Sequence, residues 1–233
     1  MEKLEESRNR ALRIVGKRDS SPLLDFLVSI YESCVYPVVC NLYGGWRSTS
    51  LKQLAHGVSD IVGSHDGLIL DVACGPGTYG RRIASRSKTI YGIDASMSML
   101  RRGAYYVERG CIPNMHFARA VVEALPFPAG LFDAAICAGS LNHFSDTVLA
   151  LREINRTMKA GAPLAVMCFA AGSNGLFKYG SLRERAEKRG GHIFELSDLE
   201  RYVAEAGFVD FHPHAYGSIL VCSVRKKFAG QSS

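Results

Sequence analysis

The sequence has no long hydrophobic run and no secretory signal at its start. None of its apolar runs approaches the roughly 18 residues of a membrane-spanning helix, and residues 1–6 lack the apolar segment of a signal peptide. We therefore expect a cytoplasmic protein without a membrane span. With 233 residues, of which 47% are hydrophobic, the chain fits one domain or one domain with a helical extension.

Metal-type cysteine pairs and dense basic runs are also absent. The seven cysteines are an odd number, and most lie in apolar, strand-like stretches, so we interpret them as buried thiols. The net charge of +6 comes from scattered Lys and Arg residues. No nucleic-acid partner is expected on this basis. Weak association with an anionic membrane surface stays open, as does the choice between a monomer and a homodimer.

Helical patterns fill the N-terminal part of the chain. Residues 2–17 are amphipathic, and residues 22–40 form a more apolar segment, so two helices are predicted there. After the glycine pair Gly44 and Gly45, the hydroxyl side chains of residues 48–50 offer N-caps for a third helix, which we expect to end near His56.

From Leu68 onward, apolar runs alternate with helical patterns, which is typical of βαβ units and a parallel sheet. The predicted strands cover residues 68–72, 89–93, 115–118, 132–138 and 164–169, and the predicted helices cover residues 78–85, 96–108 and 146–158. An irregular polar stretch at residues 172–195 precedes a helix that starts near Ser197 and stops at Gly207. Two last strands, 209–212 and 218–224, joined through Pro213 and Gly217, predict a terminal hairpin.

A glycine-rich turn follows the first predicted strand. Gly75, Gly77 and Gly80 have the G-x-G-x-x-G spacing, in which missing side chains let a ligand approach backbone amides at a helix N-terminus. Asp94 ends the second strand, where a carboxylate accepts hydrogen bonds from a ribose diol. The spacing also fits NAD, but Asp71 at the mouth of the turn would repel a pyrophosphate and suits the cationic end of S-adenosylmethionine (SAM). SAM is therefore the predicted cofactor.

The turn belongs to a series of ordered motifs. Residues 70–77 (LDVACGPG), 92–96 (GIDAS), 123–127 (EALPF) and 132–135 (FDAA) resemble, in this order, motifs of class I methyltransferases, especially the ubiquinone and menaquinone C-methyltransferases. Residues 151–159 (LREINRTMK) resemble the helix before that family's fifth strand, so the similarity covers about residues 68–169. It implies an α/β fold: a Rossmann-like, doubly wound, seven-stranded sheet that is mostly parallel with one antiparallel strand.

The resemblance also implies a set of cofactor-binding residues. Asp71 and the Gly75 backbone would hold the methionine portion of SAM, and Asp94 the ribose. The other implied positions at the cofactor site are Ala73, Gly77, Ala95, Met97, Val122, Glu123, Ala138 and Gly139. One position departs from the family, because Val121 stands where an acid usually faces the adenine amino group. Losing one hydrogen bond of about 0.5–1.5 kcal/mol predicts weaker SAM binding without abolishing it.

His143 is the candidate catalytic residue. SAM carries an activated methyl group, so placing the nucleophile is the main task and no catalytic residue is strictly required. If the acceptor is a phenol or an enol carbon, a nearby base helps by removing its proton. His143 follows the fourth strand, on the rim where ligands bind, and would also contact the acceptor; a capping or packing role explains it equally well. The histidine spacing predicts no metal site.

The acceptor side is expected to include segments outside the sheet. By the resemblance, the N-terminal segment folds over the SAM pocket as a lid, where Arg47 could reach the SAM carboxylate. The candidate acceptor-binding residues besides His143 are Tyr36, Tyr43, Trp46, Phe177, Tyr179 and His192. Core packing explains Tyr36 as well. The predicted organisation is a helical lid at residues 1–60, a SAM-binding domain at 61–228 with an insertion at 172–195, and a tail at 229–233.

The predicted function is methyl transfer from SAM to an oxygen, nitrogen or carbon atom of a small molecule. The aromatic lid residues favour an aromatic or apolar acceptor. The positive charge keeps nucleic-acid or protein methylation as a second class, although residues 140–143 (SLNH) stand where base-amino methyltransferases carry an Asn-Pro-Pro-Tyr type of motif. A noncatalytic SAM-binding protein is the third class.

Overall fold

The computed structural model describes residues 51–62, 67–84, 88–171, 184, 188 and 192–228. Several sequence-based predictions lie outside these described residues. They are the two N-terminal helices, the lid residues Tyr36, Tyr43, Trp46 and Arg47, the insertion residues Phe177 and Tyr179, and the tail at 229–233. The lid and insertion boundaries therefore stay predictions.

The described part of the chain forms a seven-stranded sheet in the order β3-β2-β1-β4-β5-β7-β6. The strands are β1 Gly67–Val72, β2 Lys88–Asp94, β3 Met115–Arg119, β4 Ala134–Ala138, β5 Pro163–Phe169, β6 Phe208–Tyr216 and β7 Ile219–Lys226. β1 pairs in parallel with both β2 and β4, whereas β7 runs antiparallel to β5 and to β6. The predicted doubly wound sheet with one antiparallel strand is confirmed.

Five helices accompany the strands in the described ranges: α1 Leu51–Val62, α2 Gly80–Ile83, α3 Met97–Arg109, α4 Thr147–Thr157 and α5 Leu196–Glu205. The prediction that the first of these ends near His56 is wrong. α1 continues because Val58 and Val62 are fully buried against the sheet, and this packing offsets the cost of about 1 kcal/mol for Gly57 inside a helix. Within these ranges, no helix combines the length and the hydropathy that a membrane span requires.

The two faces of the sheet bury separate apolar clusters. Leu70 and Val72 of β1 point to one face and pack in a cluster with residues of α4 and α5, while Ile69 points to the other face and packs with residues of α1 and α3. Each such fully buried aliphatic side chain stabilises the fold by about 1.5–3 kcal/mol. Because both faces of the sheet are covered, a ligand can reach the sheet at the ends of its strands.

The terminal hairpin is longer than predicted. Pro213, expected in the connection, lies inside β6 opposite Cys222 of β7, and the turn is formed around Gly217. β6 is one of the two edge strands of the sheet. A proline is tolerated in an edge strand, because one side of such a strand needs no N–H for a neighbouring strand.

Candidate functional site

A cavity opens at the carboxyl ends of β1, β2 and β4. This is the point where the strand order reverses, since β1 has β2 on one side and β4 on the other. Ligands of open α/β sheets bind at such a crevice. The cavity is lined by Ala73, Cys74, Gly75, Pro76, Thr78, Tyr79, Asp94, Ser96, Met99, Ala138, Gly139, Ser140 and His143.

The three glycines of the turn serve different purposes. Gly75 has a φ of +55° and lines the cavity, and a Cβ placed on it would meet nothing within 4 Å. A Cβ on Gly77, which has a φ of +77°, would stand 2.5 Å from Met115 Cε and 3.0 Å from Phe117 Cζ. A Cβ on Gly80 would stand 2.8 Å from Asp71 Oδ2. Only Gly75 therefore leaves backbone open to a ligand, while the other two permit close packing.

Backbone hydrogen bonds hold the Asp94 side chain against the glycine-rich turn. Its Oδ2 accepts a hydrogen bond from Gly75 N at 2.9 Å, and its Oδ1 accepts one from Ser96 N at 2.8 Å. Each carboxylate oxygen has a second lone pair, and the half-buried side chain lines the cavity. A fixed carboxylate with free acceptor capacity is compatible with a ribose diol, and the predicted contact of Asp94 with the cofactor remains a prediction.

Asp71 lies behind the turn rather than in the cavity. The side chain is buried, and its Oδ2 accepts a hydrogen bond from Gly80 N at 3.0 Å. Burial raises the pKa of this carboxyl to about 7, with the Gly80 hydrogen bond opposing the rise and the nearby charge of Asp94 adding to it. Asp71 thus helps to fix the conformation of the turn, and its predicted role at the cofactor remains a prediction.

The predicted adenine side is spread around the cavity rim. Met97 is half-buried at the start of α3 and Ala95 is exposed just before it, but neither lines the cavity; the nearby Ser96 and Met99 do. Val121 is exposed and Val122 is buried, in a short 3-10 turn that also lies outside the cavity wall. The predicted adenine contacts of these residues remain predictions.

An ion pair fixes the loop that follows this short turn. Glu153 of α4 accepts a hydrogen bond from Leu125 N at 3.0 Å, and Arg156 donates to the carbonyls of Leu125 and Phe127 at 3.1 and 2.9 Å. The hydrogen bond between the two side chains, 2.7 Å long, lowers the pKa of Glu153. Glu123, whose role was predicted at the cofactor, accepts a hydrogen bond from the Ser145 hydroxyl at 3.1 Å.

The residues after β4 form the other wall of the cavity. Ala138, Gly139, Ser140 and His143 all line it, and the exposed His143 lies at the end of a 3-10 turn, Leu141–His143. Of the predicted residues, Ala73, Gly75, Asp94, Ala138, Gly139 and His143 are brought together here. Gly77 packs behind the turn, and His192 is exposed near Asn142 without lining the cavity.

Sequence reasoning missed part of the cavity wall. Cys74, Pro76, Thr78, Tyr79, Ser96, Met99 and Ser140 line it without having been predicted as site residues. All of them lie within two residues of predicted positions, so extending each motif by two residues would include them. The described residues contain no group of His, Cys, Asp and Glu side chains placed to hold a metal ion.

Residues 69–161 match the family described as a methyltransferase domain. The methyltransferase YcgJ of Bacillus subtilis is 30% identical over 91 residues, which cover 39% of this chain and 36% of that protein. The ubiquinone/menaquinone biosynthesis C-methyltransferase UbiE of Teredinibacter turnerae is 30% identical over 159 residues, covering 62% of this chain and 60% of that protein. This chain therefore spans less than two thirds of the length of either relative.

Solved structures share the fold at low sequence identity. The [4+2]-cyclase SpnF superimposes with a TM-score of 0.68 and 20% identity over 88% of this chain and 96% of its own. A phosphoethanolamine N-methyltransferase of Haemonchus contortus, solved in complex with S-adenosyl-L-methionine, superimposes with a TM-score of 0.64 and 20% identity over 84% of this chain and 46% of its own. At these identities the likeness establishes the fold alone.

Proposed function

We propose that this protein transfers a methyl group from SAM to a small, aromatic or apolar acceptor, because residues 69–161 match a methyltransferase domain and the ordered motifs resemble those of class I methyltransferases. The observation that carries the proposal is the pairing of Gly75 and Asp94 at the cavity. One leaves backbone open to a ligand, and the other offers a fixed carboxylate with free lone pairs.

The residues that line the cavity are compatible with SAM. Asp94 would bind the ribose hydroxyls, and Ser96 and Met99 would border the adenine side. Because the Gly75 N–H already donates to Asp94, the Gly75 carbonyl would be the group that accepts from the methionine portion. The ionised form of Asp71 would favour a cationic ligand from behind the turn. When bound, SAM supplies a methyl group already activated as a sulfonium.

The residues after β4 would handle the acceptor. His143 is exposed, lines the cavity and carries a ring nitrogen able to accept a proton from a phenol or an enol carbon as the acceptor is methylated. Ser140 lines the same wall and offers a hydroxyl that can orient an acceptor oxygen. Ala138 and Gly139, predicted at the cofactor, are small residues of the same wall and leave room beside the methyl donor for a flat acceptor ring.

A radiolabel experiment tests this function. The protein is incubated with methyl-labelled SAM and an extract, and the label is then measured separately in the small-molecule and macromolecular fractions. We expect labelled small molecules that partition into organic solvent. Label confined to nucleic acid or protein would contradict the proposal and support the second class of acceptor, which the net charge of +6 favours.

A SAM-binding protein without methyl-transfer activity is the other candidate. It is favoured by the fold likeness to a [4+2]-cyclase, because one fold can host unrelated reactions. This candidate predicts that S-adenosylhomocysteine (SAH) binds but that no label is transferred to any fraction.

A further inference from the structure

Asn142 is a buried amide in the middle of the 3-10 turn that carries His143. Its side chain is 2% exposed. The Oδ1 atom accepts a hydrogen bond from Phe169 N at 2.7 Å, and Nδ2 donates to Phe169 O at 2.8 Å and to His192 O. Its backbone carbonyl also accepts a hydrogen bond from His192 N at 2.8 Å. Every polar group of this amide therefore has a protein partner.

These bonds join three separate parts of the chain at the cavity rim. Asn142 follows β4, Phe169 ends β5, and His192 lies just before a short return of the chain to the sheet, where Phe194 pairs with Ala170. The amide nitrogen of Ala171 donates to Phe194 O at 2.8 Å and secures the same return. Asn142 is the side chain that connects the cavity wall after β4 with both other parts.

Joining chain segments through a buried amide carries a risk to stability. Leaving either of its polar groups without a partner would cost about 1–3 kcal/mol, whereas apolar packing would give similar stability without that risk. The neighbours Leu141 and Phe144 are buried and apolar, so the site tolerates hydrophobic contacts. What the amide adds is direction, because its hydrogen bonds fix the turn in one orientation.

We propose that Asn142 is a positioning residue: its hydrogen bonds fix the 3-10 turn, so that the imidazole of His143 is held on the acceptor side of the cavity. The inference rests on the proposed function for the identity of the ligand. Asn142 itself does not line the cavity, and it would act through His143, the next residue of the turn that its hydrogen bonds fix.

The test compares Asn142→Ala with a matched control, Asn155→Ala. The Asn155 side chain also donates to a backbone carbonyl, that of Gly207 at 3.1 Å, but at an exposed site. SAH affinity is measured by calorimetry, and the imidazole resonance of His143 is followed by NMR with SAM and with SAH. SAM carries a sulfonium charge that SAH lacks, so a histidine fixed at the cavity responds differently to the two ligands.

In the wild type and in Asn155→Ala, we expect the His143 resonance to distinguish SAM from SAH. In Asn142→Ala, SAH affinity should stay within about threefold of the wild type, while the difference between the two ligands at His143 is lost. A folded Asn142→Ala protein that keeps this difference in full would overturn the proposal.

If Asn142→Ala does not fold, hydrogen exchange of the Asn142 side-chain amide in the wild type provides a second test. We expect its Nδ2 protons to exchange with solvent at least about 100-fold more slowly than those of Asn155. Equal rates would overturn the proposal. This measurement needs no ligand, so it decides on Asn142 even if the wild type binds neither SAM nor SAH, a result that would instead refute the proposed function.

Discussion

The two walls of the cavity are built in different ways. The wall formed by the glycine turn and by the residues around Asp94 comes from two neighbouring strand ends, and short backbone hydrogen bonds hold it: Gly75 N to Asp94, Ser96 N to Asp94 and Gly80 N to Asp71. The wall that carries His143 depends on Asn142, whose side chain binds residues 27 and 50 positions away.

This difference suggests that the wall formed by the glycine turn can be built from a short local motif, whereas the wall that carries His143 depends on the rest of this particular chain. The first wall needs only a strand, a tight turn and an acid at the next strand end, and in the proposed function it binds the ribose and methionine groups of SAM. The second wall needs contacts between distant parts of the chain, so changes elsewhere can reshape it. We therefore expect substitutions in the first wall to change cofactor affinity and substitutions in the second to change turnover.

Replacing His143 should have the largest effect. In His143→Gln, we expect turnover of the acceptor identified by the radiolabel assay to fall by about 10²–10⁴-fold, because the proton acceptor is lost. SAH affinity should be unchanged, since His143 belongs to the other wall. Steady-state kinetics and calorimetry on the same preparation measure both quantities. Unimpaired turnover would limit His143 to a packing role.

Asp71 should give the protein a pH-dependent stability. Burial raises its pKa to about 7 in the folded protein, from an ordinary value of 3.8, so the folded state binds the proton more tightly. The contribution of Asp71 to stability is full below about pH 4 and is lost as pH rises through 7, by roughly 4 kcal/mol at most. Asp71→Asn should remove this dependence of the unfolding free energy on pH, while its side-chain oxygen still accepts a hydrogen bond from Gly80 N.

Denaturant unfolding between pH 4 and 8 measures this effect. The matched control is Asp198→Asn, because Asp198 is a partly exposed acid on α5 that pairs with Arg201. The control should keep the slope of the wild type above pH 5. If Asp71→Asn keeps it as well, Asp71 is ionised at neutral pH like an ordinary carboxyl.

Two glycines of the same turn should respond in opposite ways. In Gly77→Ala, the new Cβ collides with Met115 and Phe117 at a positive φ, so we expect a loss of about 3 kcal/mol of stability. In Gly75→Ala, the Cβ enters open space, so only backbone strain of about 1 kcal/mol remains. SAH affinity should fall more in Gly75→Ala than in Gly77→Ala, because Gly75 lines the cavity and Gly77 does not. Equal stability losses would contradict the separate roles of the two glycines.

Arg156 should have the smallest of these effects. In Arg156→Ala, the carbonyls of Leu125 and Phe127 lose their donor, and we expect a loss of about 2 kcal/mol of unfolding free energy. Arg201→Ala is the control, because the ion pairs of Arg201 within the described part of the chain are with the surface acids Asp198 and Glu205 of its own helix. The control should unfold like the wild type. The same loss in both variants would show that Arg156 makes no special contribution.

The sheet and the first wall could be predicted because their determinants are local. Apolar runs of strand length give β1 to β5 within one or two residues, and the motif around the glycines gives Gly75 and Asp94. The length of α1 could not be predicted, because Gly57 favours a stop and only packing of Val58 and Val62 against the sheet overrides it. Pro213 was misplaced for a similar reason, since an edge position becomes visible only with the strand order.

The second wall could be predicted only in part. His143 was found because it follows a predicted strand, but Asn142 is an ordinary residue in the sequence, and its importance comes from Phe169 and His192. Asp71 was expected at the ligand and lies behind the turn, because the close approach of Gly80 captures its carboxylate. Local patterns thus reveal which residues reach the rim, while tertiary hydrogen bonds decide what each one contacts.

Calorimetric titration of the wild type and of Asp94→Ala with SAH tests the central claim most directly. We predict that the wild type binds SAH with a submillimolar dissociation constant. Asp94→Ala should bind about 100-fold more weakly, because two hydrogen bonds to a charged carboxylate, each contributing about 1.5 kcal/mol, are lost. A wild type that binds no SAH in the submillimolar range, or an Asp94→Ala variant that binds it equally well, would contradict the assignment of this cavity to SAM.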